Sequence, residues 1–122
     1  MYEVLIKSDF CGAHNLEGYK GRCEELHGHN WKVEARFQKN SLDDIGIAAD
    51  FKDLKAMLKV VLEKMDHAYL NKLESFKGKN PSAENIAQYI YTELGKSIKT
   101  KGLSVKSVSV WESDATCATY YE

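Results

Sequence analysis

Apolar and polar residues alternate along this chain in two rhythms, and the change falls at Asp50. In "NWKVEARFQ" (residues 30–38), Trp31, Val33, Ala35 and Phe37 alternate with polar side chains. That is the period of two expected of an antiparallel strand with one wet face. The preceding "YEVLIKSDF" is apolar in its middle and partly β-branched, and predicts a first strand running into a Cys-Gly-Ala loop. "KNSLDD" reads as a turn and "GIAADF" as a third, short strand. Beyond Asp50, Leu54, Met57, Leu58, Val61, Leu62 and Met65 recur at three- and four-residue spacing, which predicts an amphipathic helix. Asp50 can cap that helix by accepting from its first-turn amides. A second helix is expected to start near "NPSAEN", with the proline in its first turn. Its apolar stripe is Ile86, Ile90, Leu94 and Ile98, and Gly102 follows its end. "LSVKSVSVW" and "TCATYY" read as two closing strands joined by "ESDA"; the alternation slips at Lys106–Ser107, which suggests a bulge. This order predicts an α+β domain with helices gathered on one face of an antiparallel sheet.

Composition narrows the class. A chain of 122 residues fits one domain, 1–122. Seventeen basic and eighteen acidic side chains leave a formal charge of −1, without the basic excess that a nucleic-acid partner usually requires. No apolar run approaches the ~18 residues of a membrane span. "MYEVLIKSDF" has neither the basic nor the long apolar region of a secretory signal. Three cysteines (Cys11, Cys23, Cys117) are too few and too odd in number for a disulfide framework. Free thiols in a reducing cytoplasm are the expectation.

The candidate chemistry centres on histidine. Three of the four histidines, His14, His27 and His29, fall within one short stretch. If residues 27–29 are extended, His27 and His29 point to the same side, and His14 from the preceding loop could meet them. Three nitrogen ligands with a fourth position open is the arrangement of a catalytic zinc. The bland alternative is a pair of exposed or hydrogen-bonded histidines. Cys23 has three readings: a fourth ligand, a buried thiol, or a reacting group whose thiolate is favoured by nearby Lys20 and Arg22. Cys11 and Cys117 stand in apolar strand-like contexts and read as structural thiols. Asp66 and His67 stand together where the first helix stops, either as an acid–base pair or as an exposed helix end responding to the dipole. Glu112 follows an apolar strand and shares a face with Val108 and Val110 if the strand is regular. There it would need a partner, such as a ligand offering two adjacent N–H groups, unless it simply sits in water.

Six segments in register, "FCGAH", "CEELHGHNW", "IAADF", "MDHAYLN", "NPSAEN" and "VWES", together resemble the 6-pyruvoyl-tetrahydropterin synthase and 6-carboxy-tetrahydropterin synthase family over nearly the whole chain. The resemblance implies the tunnelling fold, a four-stranded antiparallel sheet backed by two helices. It also implies homo-oligomers that join sheet edges into barrels, typically trimers stacked as hexamers, with sites at subunit interfaces. By position, His14, His27 and His29 would be zinc ligands and Cys23 the proton-abstracting base. Asp66 and His67 would complete the acid–base set, and Glu112 would anchor a pterin, with Ser82 touching it. The implied substrate is 7,8-dihydroneopterin triphosphate. The short chain, the C-x-x-x-H-G-H form and "NPSAEN" look more like the queuosine-pathway branch, which leaves a 6-carboxy group, than the 6-pyruvoyl branch. Cys23 stands against the subset of relatives with glutamate there. A non-catalytic zinc- or pterin-binding module is the rival from another class.

Overall fold

Alternation is carried through into the tertiary structure. A computed structural model describes residues 1–21 and 24–122; Arg22 and Cys23 lie outside the described residues. Strand β1 (Tyr2–His14) pairs antiparallel with β2 (His27–Lys39), which pairs with β4 (Ser104–Trp111), which pairs with β5 (Cys117–Tyr120). A fifth strand, β3 (Ala68–Tyr69), adds two residues in parallel to Gly12 and Ala13 of β1. The sheet order is β3-β1-β2-β4-β5, so the four expected antiparallel strands gain a short parallel edge. Helices α1 (Phe51–Glu63) and α2 (Ala83–Ser97) pack on one face, α1 over β1 and α2 over β4 and β5.

The core follows from the two periodicities. Trp31, Val33, Ala35 and Phe37 of β2 are fully buried, while Asn30 and Lys32 between and beside them are exposed. Facing them are Leu54, Leu58, Val61 and Leu62 of α1 and Ile86, Ile90 and Leu94 of α2. Each such side chain removed from water stabilises the fold by about 1.5–3 kcal/mol before the entropy of ordering it is counted. Asp50 caps α1 as expected, accepting from the Lys52 amide at 2.8 Å.

The bulge is where the alternation slips. Phe37 pairs with Val105 and Arg36 with Ser107, leaving Lys106 as the extra residue. One added residue exchanges the two faces of a strand. Leu103 and Val105 before the bulge, and Val108 and Val110 after it, thereby all reach the core.

Four expectations are corrected. "GIAADF" forms no strand; residues 44–49 run through turns and bends, with a turn closed by Asp43 Oδ1 accepting from the Ile45 and Ile47 amides. Cys11, Gly12 and Ala13 are not a loop but the continuation of β1, because "CGAH" finds a full set of partners in residues 27–30. Pro81 lies outside α2: Ser82 is the N-cap, its hydroxyl accepting from the Asn85 amide. Cys11 and Cys117 are exposed, since Cys11 falls on the helix-free parity of β1 and Cys117 begins the edge strand β5.

Candidate metal centre

The pairing of β1 with β2 builds the site. His14 is the last residue of β1 and stands directly opposite His27; Gly12 stands opposite His29. Residues paired across an antiparallel ladder share a face, and residues two apart on a strand share it too. His14, His27 and His29 therefore emerge together, on the helix-covered side, at the sheet end beyond Trp31. Their ring centroids lie 4.5, 5.2 and 4.7 Å apart. The indole of Trp31 packs edge-on against His14 and His29, both at 4.9 Å, and its Nε1–H donates to the Gly12 carbonyl at 3.1 Å. Gly12 is bare for packing reasons: a Cβ there would meet Phe10 at 3.3 Å and the Met65 carbonyl at 3.4 Å.

Hydrogen bonds set the tautomers. His14 Nδ1 lies 2.7 Å from the Pro81 carbonyl, and His27 Nδ1 lies 2.7 Å from the Glu25 carbonyl. A carbonyl can only accept, so both Nδ1 atoms carry the proton and both Nε2 atoms present lone pairs. Those Nε2 atoms face each other at 2.9 Å. His29 Nε2 is buried without a hydrogen-bond partner among the described residues. One ligand atom from each of the three lies within 4.8 Å of the others. Nitrogens bound tetrahedrally at about 2.1 Å stand roughly 3.4 Å apart, which falls between these two distances. Among the described residues no donor stands between these nitrogens, and converging lone pairs are stable around a cation and costly without one. Burial first of all, and the neighbouring imidazoles after it, lower the pKa of His14; burial likewise leads the lowering at His29. Neutral imidazole is the form that binds a metal. The three residues fit a single borderline metal ion.

Glu112 stands one residue beyond β4, its carboxylate 3.8 Å from His14 Nε2 and one-third exposed. It lines a cavity of about 220 Å³ with Leu16, Ser82, Ala83, Glu84, Thr116 and Cys117. The Ser82 hydroxyl that caps α2 keeps its own proton to donate there. Glu112 and Ser82 thus share one cavity beside the tripod.

The Asp66–His67 pair is elsewhere in this chain. The Asp66 carboxylate accepts from the Cys11 amide at 3.0 Å and approaches His67 Nδ1 at 3.0 Å. The Cys11 amide above all, then His67, keeps Asp66 below the usual carboxylate range. His67 donates its backbone N–H to the Cys11 carbonyl and sits at φ 57°, a left-handed conformation uncommon outside glycine. Its side chain is 81% exposed, and Asp66 lines a separate hollow of about 380 Å³ with Lys55, Lys59 and Glu63. The pair is therefore preformed but does not enter the cavity of Glu112. Two contributors had no signature in the sequence: the carbonyls of Glu25 and Pro81, since every residue type carries one.

A family model described as 6-pyruvoyl tetrahydropterin synthase matches residues 3–122. The chain belongs to that family. A relative from Archaeoglobus fulgidus, named only provisionally as a 6-carboxy-5,6,7,8-tetrahydropterin synthase, is 37% identical over 91% of this chain and 88% of its own length. The 6-carboxy-5,6,7,8-tetrahydropterin synthase of Haemophilus influenzae is 31% identical over the full length of both chains. A family member from Pyrococcus furiosus at 30% identity, covering 91% of this chain and 90% of its own, bears a different name, dihydroneopterin monophosphate aldolase. Among solved structures, the 6-pyruvoyl tetrahydropterin synthase of Caenorhabditis elegans superposes with a TM-score of 0.86 at 26% identity, over 100% of this chain and 97% of that one. The tunnelling fold of the family is thus the fold of this chain. The Cys23 assignment falls outside the described residues and stays with the sequence.

Proposed function

We propose that this chain is a zinc-dependent 6-carboxy-5,6,7,8-tetrahydropterin synthase. It would convert 7,8-dihydroneopterin triphosphate and one water to 6-carboxytetrahydropterin, with loss of triphosphate and acetaldehyde, in queuosine biosynthesis. One observation carries the reading: three imidazoles whose free nitrogens converge beside a cavity that contains a carboxylate. His14, His27 and His29 would hold the zinc, which when bound would supply a Lewis acid able to acidify the C–H bonds next to substrate oxygens. Glu112 would accept two N–H groups from the pterin edge, with Ser82 beside it. Cys23, as thiolate, would take a side-chain proton, and His67 oriented by Asp66 would relay one. Exposed as it is, His67 would serve the cavity of a neighbouring subunit in the homo-oligomer. Support for that placement is the open edge of β1, where β3 covers only Gly12 and Ala13. A cytoplasmic location suits the free thiols, and no helix among the described residues is long and apolar enough to cross a membrane.

Mass spectrometry of the product from dihydroneopterin triphosphate, with and without zinc, tests the reading on the native chain and on Cys23→Ala. The expected result is a 6-carboxy product plus acetaldehyde, dependent on zinc and abolished in the variant with its zinc retained. A 6-pyruvoyl product would move the chain to the other branch, and a product of aldol cleavage would align it with the Pyrococcus relative. Unaltered turnover by Cys23→Ala would remove the cysteine from the mechanism, and zinc lost with the thiol would make it a ligand.

A further inference from the structure

Two asparagines of the segments "MDHAYLN" and "NPSAEN" have no part in the chemistry above, yet each makes the same unusual contact. The Asn71 side chain accepts from the Asn15 amide at 3.0 Å and donates to the Asn15 carbonyl at 2.9 Å. The Asn80 side chain accepts from the Glu17 amide at 2.9 Å and donates to the Glu17 carbonyl at 3.0 Å. A carboxamide offers an acceptor and a donor side by side, so each asparagine mimics a peptide and closes one rung of a β-ladder on the chain that leaves His14. Without them, the backbone N–H and C=O of residues 15 and 17 would have no partner among the described residues, since β1 ends at His14. Supporting bonds hold both sides of this contact. Tyr69 donates to Asn15 Oδ1 at 2.6 Å, and Asn85 in the first turn of α2 donates to the Asn80 carbonyl at 2.7 Å.

We propose that Asn71 and Asn80 are positioning residues, which hold the segment after His14 and thereby aim the His14 imidazole and set the Leu16 wall of the cavity. The inference rests on the reading of His14 as a metal ligand. Asn80 immediately precedes Pro81, whose carbonyl fixes the His14 tautomer. The chain at 80–81 is thus tied to the chain at 14–17 by three bonds, two through the Asn80 carboxamide and one through the imidazole. Leu16 lies between the two clamped residues and faces the cavity of Glu112 and Ser82. Loosening either clamp frees the ring of His14 from the direction in which its lone pair meets those of His27 and His29.

The test uses the full chain and zinc alone. Asn71→Asp and Asn80→Asp keep the size and the acceptor oxygen but remove the donor to the backbone carbonyl. Each is expected to lose about tenfold in zinc affinity, measured by competition with a chromogenic chelator, at the lower end of what supporting groups around metal ligands contribute. Tyr69→Phe, which removes one bond and no carboxamide, should lose less. Val61→Ala, a core truncation remote from the site, should lower the melting temperature without changing zinc affinity. Folded Asp variants with affinity within about twofold of the native chain would overturn the proposal, as would a Val61→Ala chain that loses affinity equally. Should Asn80→Asp fail to fold, Asn71→Asp and Tyr69→Phe carry the same comparison. A native chain that takes up no zinc would overturn the metal reading itself and this inference with it, an outcome distinct from unchanged variants.

Discussion

Replacing His29 with leucine should change the melting temperature in opposite directions with and without metal. In chelator, His29 Nε2 is a buried nitrogen with no partner among the described residues, in a cluster where His14 and His27 already oppose lone pairs at 2.9 Å. Removing such an orphan relieves about 1–3 kcal/mol, of which imperfect packing of the leucine will consume part. A net gain of about 1 kcal/mol is the working figure. For 122 residues the unfolding entropy near the midpoint is roughly 0.26 kcal/mol/K, so His29→Leu should melt about 4 °C higher than the native chain in chelator. Zinc at about a hundred times its dissociation constant adds about 2.7 kcal/mol to the native chain, a rise of about 10 °C. The variant keeps two ligands of three, and its rise should fall below about 3 °C. Differential scanning calorimetry in chelator and in excess zinc reads both numbers. Two results would refute the reasoning: a variant that still rises by the native amount in zinc, or one that melts well below the native chain in chelator. The second would mean that His29 is satisfied without a metal.

Other substitutions probe the surroundings. Glu112→Gln should weaken binding of a pterin, measured by fluorescence titration, by about tenfold or more while zinc content stays unchanged; equal loss of both would make Glu112 a metal ligand. Gly12→Ala places a methyl against Phe10, Leu70 and the Met65 carbonyl, and should cost about 1–2 kcal/mol in urea unfolding. Asp50→Ala removes the cap of α1 and should cost about 1 kcal/mol by the same measurement, with zinc binding intact.

Much of this molecule follows from the sequence without reference to tertiary contacts. The alternation of residues 30–38 set the buried face of β2, and the spacing from Leu54 to Leu62 set that of α1, because a side chain's direction repeats with the backbone period. The slip at Lys106 was legible for the same reason: one extra residue shifts the parity of everything after it. His27 and His29 share a face by that rule alone. The third histidine of the cluster was expected in the wrong setting. His14 was expected on a loop and stands at the end of a strand, because glycine and alanine carry little strand propensity of their own and pairing with residues 27–30 overrides it.

What only the folded chain decided depends on contacts between residues far apart in sequence. "GIAADF" has the composition of a strand but found no partner, whereas Ala68 and Tyr69 became one because the chain after α1 returns beside Gly12. The tautomer of His14 is set by a carbonyl 67 residues away, which is not marked by its side chain. The segments "MDHAYLN" and "NPSAEN" were visible as strings, but only the tertiary structure shows that their asparagines clamp the chain leaving His14. Periodicity is a local property of the backbone and survives in the sequence. The direction of a lone pair is a property of the whole fold.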